Sequence, residues 1–237
     1  MSVKVYLDIA KNKRYEIFTR PYELNIWGIR SKNTKAGKFD DRIVCFWQDE
    51  GRLWHIRKYI ATTDPGTYYL ENPMPAAQEL GTAILKQGQY LNTWQGGFNS
   101  RFGFRAYELV QIKPVTILRD YDRNAILDFF NGKETTGLYG INIHVGTTPG
   151  NRSEEVGKWS AGCQVFADWQ EFQEFTQLCL RHAERYGNIF SYTLIDKRAE
   201  NRAKLRRSLY VVLFLAFLAA LWFFRKEVKA FYKNGKF

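Results

Sequence analysis

Tyr139-Gly-Ile-Asn-Ile-His-Val-Gly146 and, after a polar loop, Trp159-Ser-Ala-Gly-Cys-Gln-Val-Phe166 decide how this chain is read. Both stretches are short apolar runs of the kind that form buried strands. The first carries His144 and the second Cys163, 19 positions further on, and each has a glycine close by. A thiol becomes a useful nucleophile when a base or positive field lowers its pKa and the backbone lets a substrate approach. His144 can supply the base, and Ser160-Ala-Gly162-Cys163 a tight turn with backbone N–H groups exposed. The pattern predicts a cysteine acyl-transfer site built from Cys163, His144, Gly162 and Ser160.

Around these runs, residues 2–9, 22–30, 42–48, 52–61 and 81–90 read as strands rich in β-branched and aromatic side chains. Residues 95–100 (Gln-Gly-Gly-Phe-Asn-Ser) read as a flexible loop. Residues 107–118 read as a further strand, with Pro114 at an edge or bulge, and 124–130 as a short helix or helical turn. Asp168-Trp-Gln-Glu171 has the form of a capping box. Beyond it Phe172, Phe175, Leu178, Cys179 and His182 fall on one helical face, with Gly187 as the stop. Residues 189–195 make a final strand. The expected class is α+β, mainly β, with residues 1–196 as one domain and the motif region at about 139–166.

The formal charge of +11 is concentrated at one end of the chain. Residues 197–237 hold eleven Lys and Arg against Glu200 and Glu227, which leaves only +2 for residues 1–196. No basic stripe with interleaved aromatics remains there, which argues against nucleic acid as a partner. Leu209–Phe224 is a run of sixteen residues without a charge. As a helix it covers about 24 Å, and flanking Arg and Lys, Tyr210 and Trp222 extend it toward a bilayer core of roughly 30 Å. The expected layout is a basic juxtamembrane stalk at 197–207, a single membrane-spanning helix at 208–225 and a basic tail at 226–237. Positive charge on both flanks leaves the orientation open. Residues 1–9 show no secretory pattern and read as a strand.

Cys45, Cys163 and Cys179 make an odd set without CxxC or metal-ligand spacing, so neither a disulfide framework, a metal nor a cofactor is expected. Cys45 and Cys179 read as inert core thiols, and His55 and His182 as structural. Lys158, Trp159, Trp94, Arg101 and Arg105 are candidates for lining a cleft.

Ile143-His144-Val-Gly146-Thr147 followed by Ser160-Ala-Gly162-Cys163 resembles the signature of the L,D-transpeptidase (YkuD-like) catalytic domain. The resemblance covers about 25 residues directly and, by strand order, extends over residues 100–196. It implies a mixed β-sheet or sandwich fold with a packed helix, in which a cysteine attacks a carbonyl of peptidoglycan stem peptides. Carried over to this chain, Cys163 is the nucleophile, His144 its general base, the N–H groups around Gly162 and Cys163 the oxyanion hole, and Ser160 the support of the turn. Two positions depart from the family pattern. Ala161 stands where many members have a second His or a basic residue, and Gln164-Val165 stand where they have Arg or Asn.

The function expected from the resemblance is a membrane-anchored cysteine enzyme that transfers stem-peptide acyl groups to an amine or to water. The bilayer is its second partner, through Leu209–Phe224. The catalytic domain is expected on the periplasmic or cell-wall side, delivered by lysis or injection machinery as a wall-damaging enzyme. The order His before Cys sets it apart from papain-like and NlpC/P60-like peptidases. The alternative is a tail-anchored binding or assembly protein that keeps the fold without the chemistry, which Ala161 and Gln164 favour.

Overall fold

A computed structural model describes residues 2–101, 103–129 and 132–233. Among the described residues, eleven strands, four α-helices and one 3-10 turn (Pro75–Ala77) follow one another. The strands are β1 (Asn25–Arg30), β2 (Asp41–Gln48), β3 (Trp54–Thr62), β4 (Thr82–Leu85), β5 (Gly88–Arg101), β6 (Phe104–Gln111), β7 (Val115–Asp120), β8 (Glu134–Gly137), β9 (Ile143–Val145), β10 (Gln164–Phe166) and β11 (Ile189–Asp196). The helices are α1 (Lys4–Lys13), α2 (Thr67–Glu71), α3 (Trp169–Tyr186) and α4 (Lys197–Lys233). The chain is mixed α+β and mainly β, with one long apolar C-terminal helix.

Eight strands close into a barrel in the order β1-β11-β5-β6-β9-β10-β3-β2, and β4, β7 and β8 form a separate antiparallel sheet. The sequence reading allowed for a sandwich; here the main sheet closes on itself, which removes its free edges. Most neighbours are antiparallel, but β1 runs parallel to β11 and β9 parallel to β10. Pro114 separates β6 from β7 instead of bending a single strand.

Strand β2 explains why the barrel reads as apolar runs. Ile43, Cys45 and Trp47 face a core shared with Phe172, Phe175 and Cys179 of α3, whereas Val44 and Phe46 face a second core under α1. Both faces of the strand are buried, so alternation disappears. Helix α3 begins with Asp168, whose side chain accepts hydrogen bonds from the N–H groups of Gln170 and Glu171. The capping box is only half made, because Glu171 accepts from the Ile60 N–H of β3 at 2.8 Å.

Three local expectations are corrected. Residues 2–9 are not a strand: Val5, Tyr6, Ile9 and Ala10 bury one face of α1. Val3, Val5, Leu7 and Ile9 also fit an alternating pattern, and over so short a segment the packing against α4 decides. Residues 95–100 are not a loop but the middle of β5, paired with β6 from Trp94 to Arg101. Residues 124–129 form an Asn-anchored turn and not a helix, with the Asn124 side chain accepting from the Ile126 N–H; Phe130 lies outside the described residues.

The stalk expected at 197–207 is the start of α4 and belongs to the globular body. Ala199 and Ala203 are buried in the core beneath α1. The Tyr6 hydroxyl donates to Glu200 at 3.0 Å, and Arg207 pairs with Asp8 at 2.8 Å. Glu200 is held below the usual carboxylate range, because the partners Lys197, Lys204 and Tyr6 outweigh its burial. Further along, Leu209, Leu213, Phe217 and Trp222 are exposed. By length and composition α4, over Lys197–Lys226, is apolar enough to cross a membrane.

Truncation tests this boundary. A chain ending at Arg207 is expected to partition into water and melt cooperatively. A chain ending at Asp196 should be less stable by about 2 kcal/mol or more, from lost apolar burial and the unpaired Tyr6 hydroxyl. Equal thermal stability of the two chains would contradict the packing of α4 on α1.

Candidate active site

Strand β9 brings His144, and the turn leading into β10 brings Cys163. Their parallel register pairs Gln164 with Ile143 and Val165 with His144. Cys163 is thereby a diagonal neighbour of His144, with Cα atoms roughly 8 Å apart by strand spacing and rise. Both side chains border one cleft of about 380 Å³, together with Arg119, Tyr139, Lys158 and Trp159. Cys163 is 9% exposed and His144 2%, so the sulfur is reached through the cleft and the imidazole forms part of its wall.

Each reactive group is oriented by the backbone beside it. His144 Nδ1 lies 2.9 Å from the Val145 carbonyl oxygen. A carbonyl only accepts, so this contact places the proton on Nδ1 and, in the neutral ring, the lone pair on Nε2. The sulfur of Cys163 lies 3.4 Å from the Gly140 carbonyl oxygen and accepts from the Asn142 N–H at 3.4 Å. The carbonyl favours the thiol and the amide favours the thiolate, so the pocket offers a partner to both protonation states.

The 139–142 segment that carries these two backbone groups is held from below. The Gln111 side chain accepts from the N–H groups of Tyr139 and Ile141, and the Trp94 indole donates to the Ile141 carbonyl at 2.7 Å. Asn142 closes the arrangement, its side chain accepting from the Gln111 N–H at 3.1 Å.

Ser160 and Gly162 shape the nucleophile turn. The fully buried Ser160 hydroxyl donates to the Cys163 carbonyl at 2.9 Å and accepts from the Gly162 N–H at 3.2 Å. The Gly162 amide is thereby hydrogen-bonded within the turn itself. Its contribution is conformational. Its φ of +125° excludes other residues, and a Cβ would lie 2.5 Å from the Ala83 carbonyl oxygen of β4. Gly146 likewise makes room, since a Cβ there would meet Val165 at 2.5 Å and Trp159 at 3.2 Å.

Behind the turn lies a buried ionic network. The Gln164 side chain donates to the carbonyls of Thr63 and Gly162 and accepts from the Tyr192 hydroxyl. Thr63 in turn donates to Asp41 from both its N–H and its hydroxyl, and Arg30 donates to the Thr63 carbonyl. Arg30 pairs with Asp64 at 2.7 Å. Burial pushes Asp64 up to about 8, with Arg30 opposing and Asp41 adding to the rise. Gln164, one of the departures from the family pattern, is thus a brace for the turn.

Several candidates lie elsewhere. Trp94 is buried in the barrel and does not line the cleft, and Arg105 is on the surface over the Phe98 ring; the side chain of Arg101 lies outside the described residues. Lys158 and Trp159 do border the cleft. His55 pairs with Asp49 at 2.7 Å, and the buried His182 accepts from the Leu24 N–H, with burial lowering its pKa. Burial pushes the thiols of Cys45 and Cys179 well up, as expected of core cysteines. Sequence reasoning missed Arg119, which sits in an ordinary-looking strand, and Gln111, which only its contacts reveal. Outside the cleft, Asp120, Asp122 and Asp128 bring carboxylate oxygens within 4.8 Å of one another, and burial with these acidic neighbours raises Asp120 to about 6. Compared with family models, with curated proteins and with solved structures, the chain matches none of them.

The Asp64 network has a pH signature. A carboxyl raised from about 4 when unfolded to about 8 when folded contributes stability that is complete below the lower value. That contribution is lost progressively as pH rises toward the upper one. Asp64→Asn cannot ionise, so its thermal midpoint should gain on that of the unmutated chain between pH 5 and pH 8. A gap between the two that does not change with pH would contradict this assignment.

Proposed function

We propose that this protein is a membrane-anchored cysteine acyl-transfer enzyme acting on peptidoglycan stem peptides, of the L,D-transpeptidase or L,D-carboxypeptidase/endopeptidase type. The observation that carries the proposal is the opening of Cys163 and His144 onto one cleft, His144 on β9 and Cys163 in the turn that enters its parallel neighbour β10. The resemblance around His144 and Cys163 supplies the substrate class.

The chemistry follows from these groups. Nε2 of His144 takes the thiol proton, and the thiolate attacks the peptide carbonyl. As the tetrahedral intermediate collapses, the C–N bond breaks, and the leaving amine takes the proton from the imidazolium. The thioester on Cys163 then passes its acyl group to an amine, forming a crosslink, or to water, cutting the stem. Helix α4 keeps the domain at a bilayer surface, and the reaction would act on wall material within reach of it, as a lytic or delivered enzyme.

One observation favours the alternative, a fold retained for binding without chemistry. The Gly140 carbonyl beside the sulfur is satisfied by a thiol and not by a thiolate. The full chain in detergent, incubated with muropeptides and resolved by mass, separates the two. Shortened or crosslinked products are expected, lost in Cys163→Ala and reduced about 100-fold or more in His144→Gln. Unchanged muropeptides with the unmutated chain would overturn the proposal.

A further inference from the structure

Arg119 is a buried cation with no ion pair among the described residues. It leaves β7 beside the cleft and is 7% exposed. One guanidinium nitrogen, Nη1, donates to the Gly81 carbonyl at 3.0 Å. Its Nε is buried and has no hydrogen-bond partner among the described residues, and none of the ion pairs among those residues includes it. The guanidinium lies 5.0 Å from the centre of the Tyr139 ring, a contact that supplies no charge. A buried charge is costly unless it is paired, and the donors of a guanidinium match a carboxylate better than any neutral group.

The cleft explains what is missing. Its lining includes two cations, Arg119 and Lys158, and neither an aspartate nor a glutamate. Lys158 is placed over Tyr68, 4.2 Å from the ring centre. Arg119 is also tied to the nucleophile by a short structural path. It is the register partner of Ala83 across β4 and β7, and the Ala83 carbonyl is the group that packs against Gly162 in the Cys163 turn. One strand spacing, roughly 5 Å, thus separates the Arg119 backbone from the strand on which the turn rests.

We propose that Arg119 is the receptor for a carboxylate on the acyl donor, so that Cys163 acts on anionic donors in preference to neutral ones. This rests on Cys163 being the nucleophile and adds the recognition element that selects its substrate. The carboxylate takes the donors that Gly81 leaves unused, while the Tyr139 ring remains beside the guanidinium. The scissile carbonyl is then held at the thiol by a group on a different sheet from the reacting pair.

Two small thiol reagents of similar size test it on the full chain in detergent: iodoacetate carries a carboxylate and iodoacetamide does not. Modification is read by mass at Cys163, with Cys163→Ala identifying the site. Arg119→Gln is expected to slow iodoacetate about tenfold, the worth of one charge-assisted hydrogen bond, and to leave iodoacetamide within about twofold. Arg119→Lys should recover most of the iodoacetate rate. An iodoacetate rate within twofold of the unmutated chain in Arg119→Gln would overturn the proposal, as would equal slowing with both reagents, which marks a structural role. If muropeptides stay unchanged while Arg119→Gln still removes the preference for iodoacetate, the carboxylate site stands and the catalytic function fails.

Discussion

The parallel pairing of β9 with β10 is the constraint on which the rest of the structure depends. Two strands of three residues each would not hold together alone, and they are fixed from both sides by the barrel, β6 on one and β3 on the other. A slip by one residue would turn His144 away from the face that Cys163 shares. Backbone groups reinforce the register, with the Gln164 N–H on the Asn142 carbonyl at 2.9 Å and the Gly146 N–H on the Phe166 carbonyl at 2.8 Å. The polar braces around the turn, from Ser160, Gln164, Gln111 and Trp94, make sense as devices that protect this one alignment.

The same logic links the core to the long C-terminal helix. One set of barrel side chains packs with α3 in a shared core, and a second set packs with α1 and the start of α4. Tyr6 stacks against Phe46 and meets Trp27 edge-on in the second layer. Because α4 continues without a break from this layer into its apolar part, the two are joined by a helix and not by an irregular linker.

How much was legible in the sequence depended on how local the signal was. The Cys163 and His144 runs, the Asp168 cap and the Gly187 stop are written in consecutive residues, and each is found where it was expected. Residues 2–9 misled because a short segment satisfies helical and alternating patterns together, and the helix wins through contacts with residues nearly 200 positions away, as Tyr6 with Glu200 shows. Gly96 and Gly97 looked like a loop, yet a strand as long as β5 absorbs them where the Tyr107 side chain fills the space above Gly96. Arg119 was invisible for a different reason. Nothing in Val115–Asp120 separates an arginine in a cleft wall from one in solvent; only the placement of the small sheet against the Cys163 turn does. The hydrogen bond from the Gly162 amide to Ser160 is a contact that residue spacing alone does not reveal.

The account stands on a thiol at 163 whose ionisation is governed by the imidazole at 144. The most direct measurement is the rate of Cys163 alkylation by iodoacetamide as a function of pH, on the full chain and on His144→Gln. The account predicts substantial reactivity below pH 7 in the unmutated chain, with the profile moving toward that of a free thiol near 8.5 in the variant. Superimposable profiles, both rising only around 8.5 or above, would contradict it.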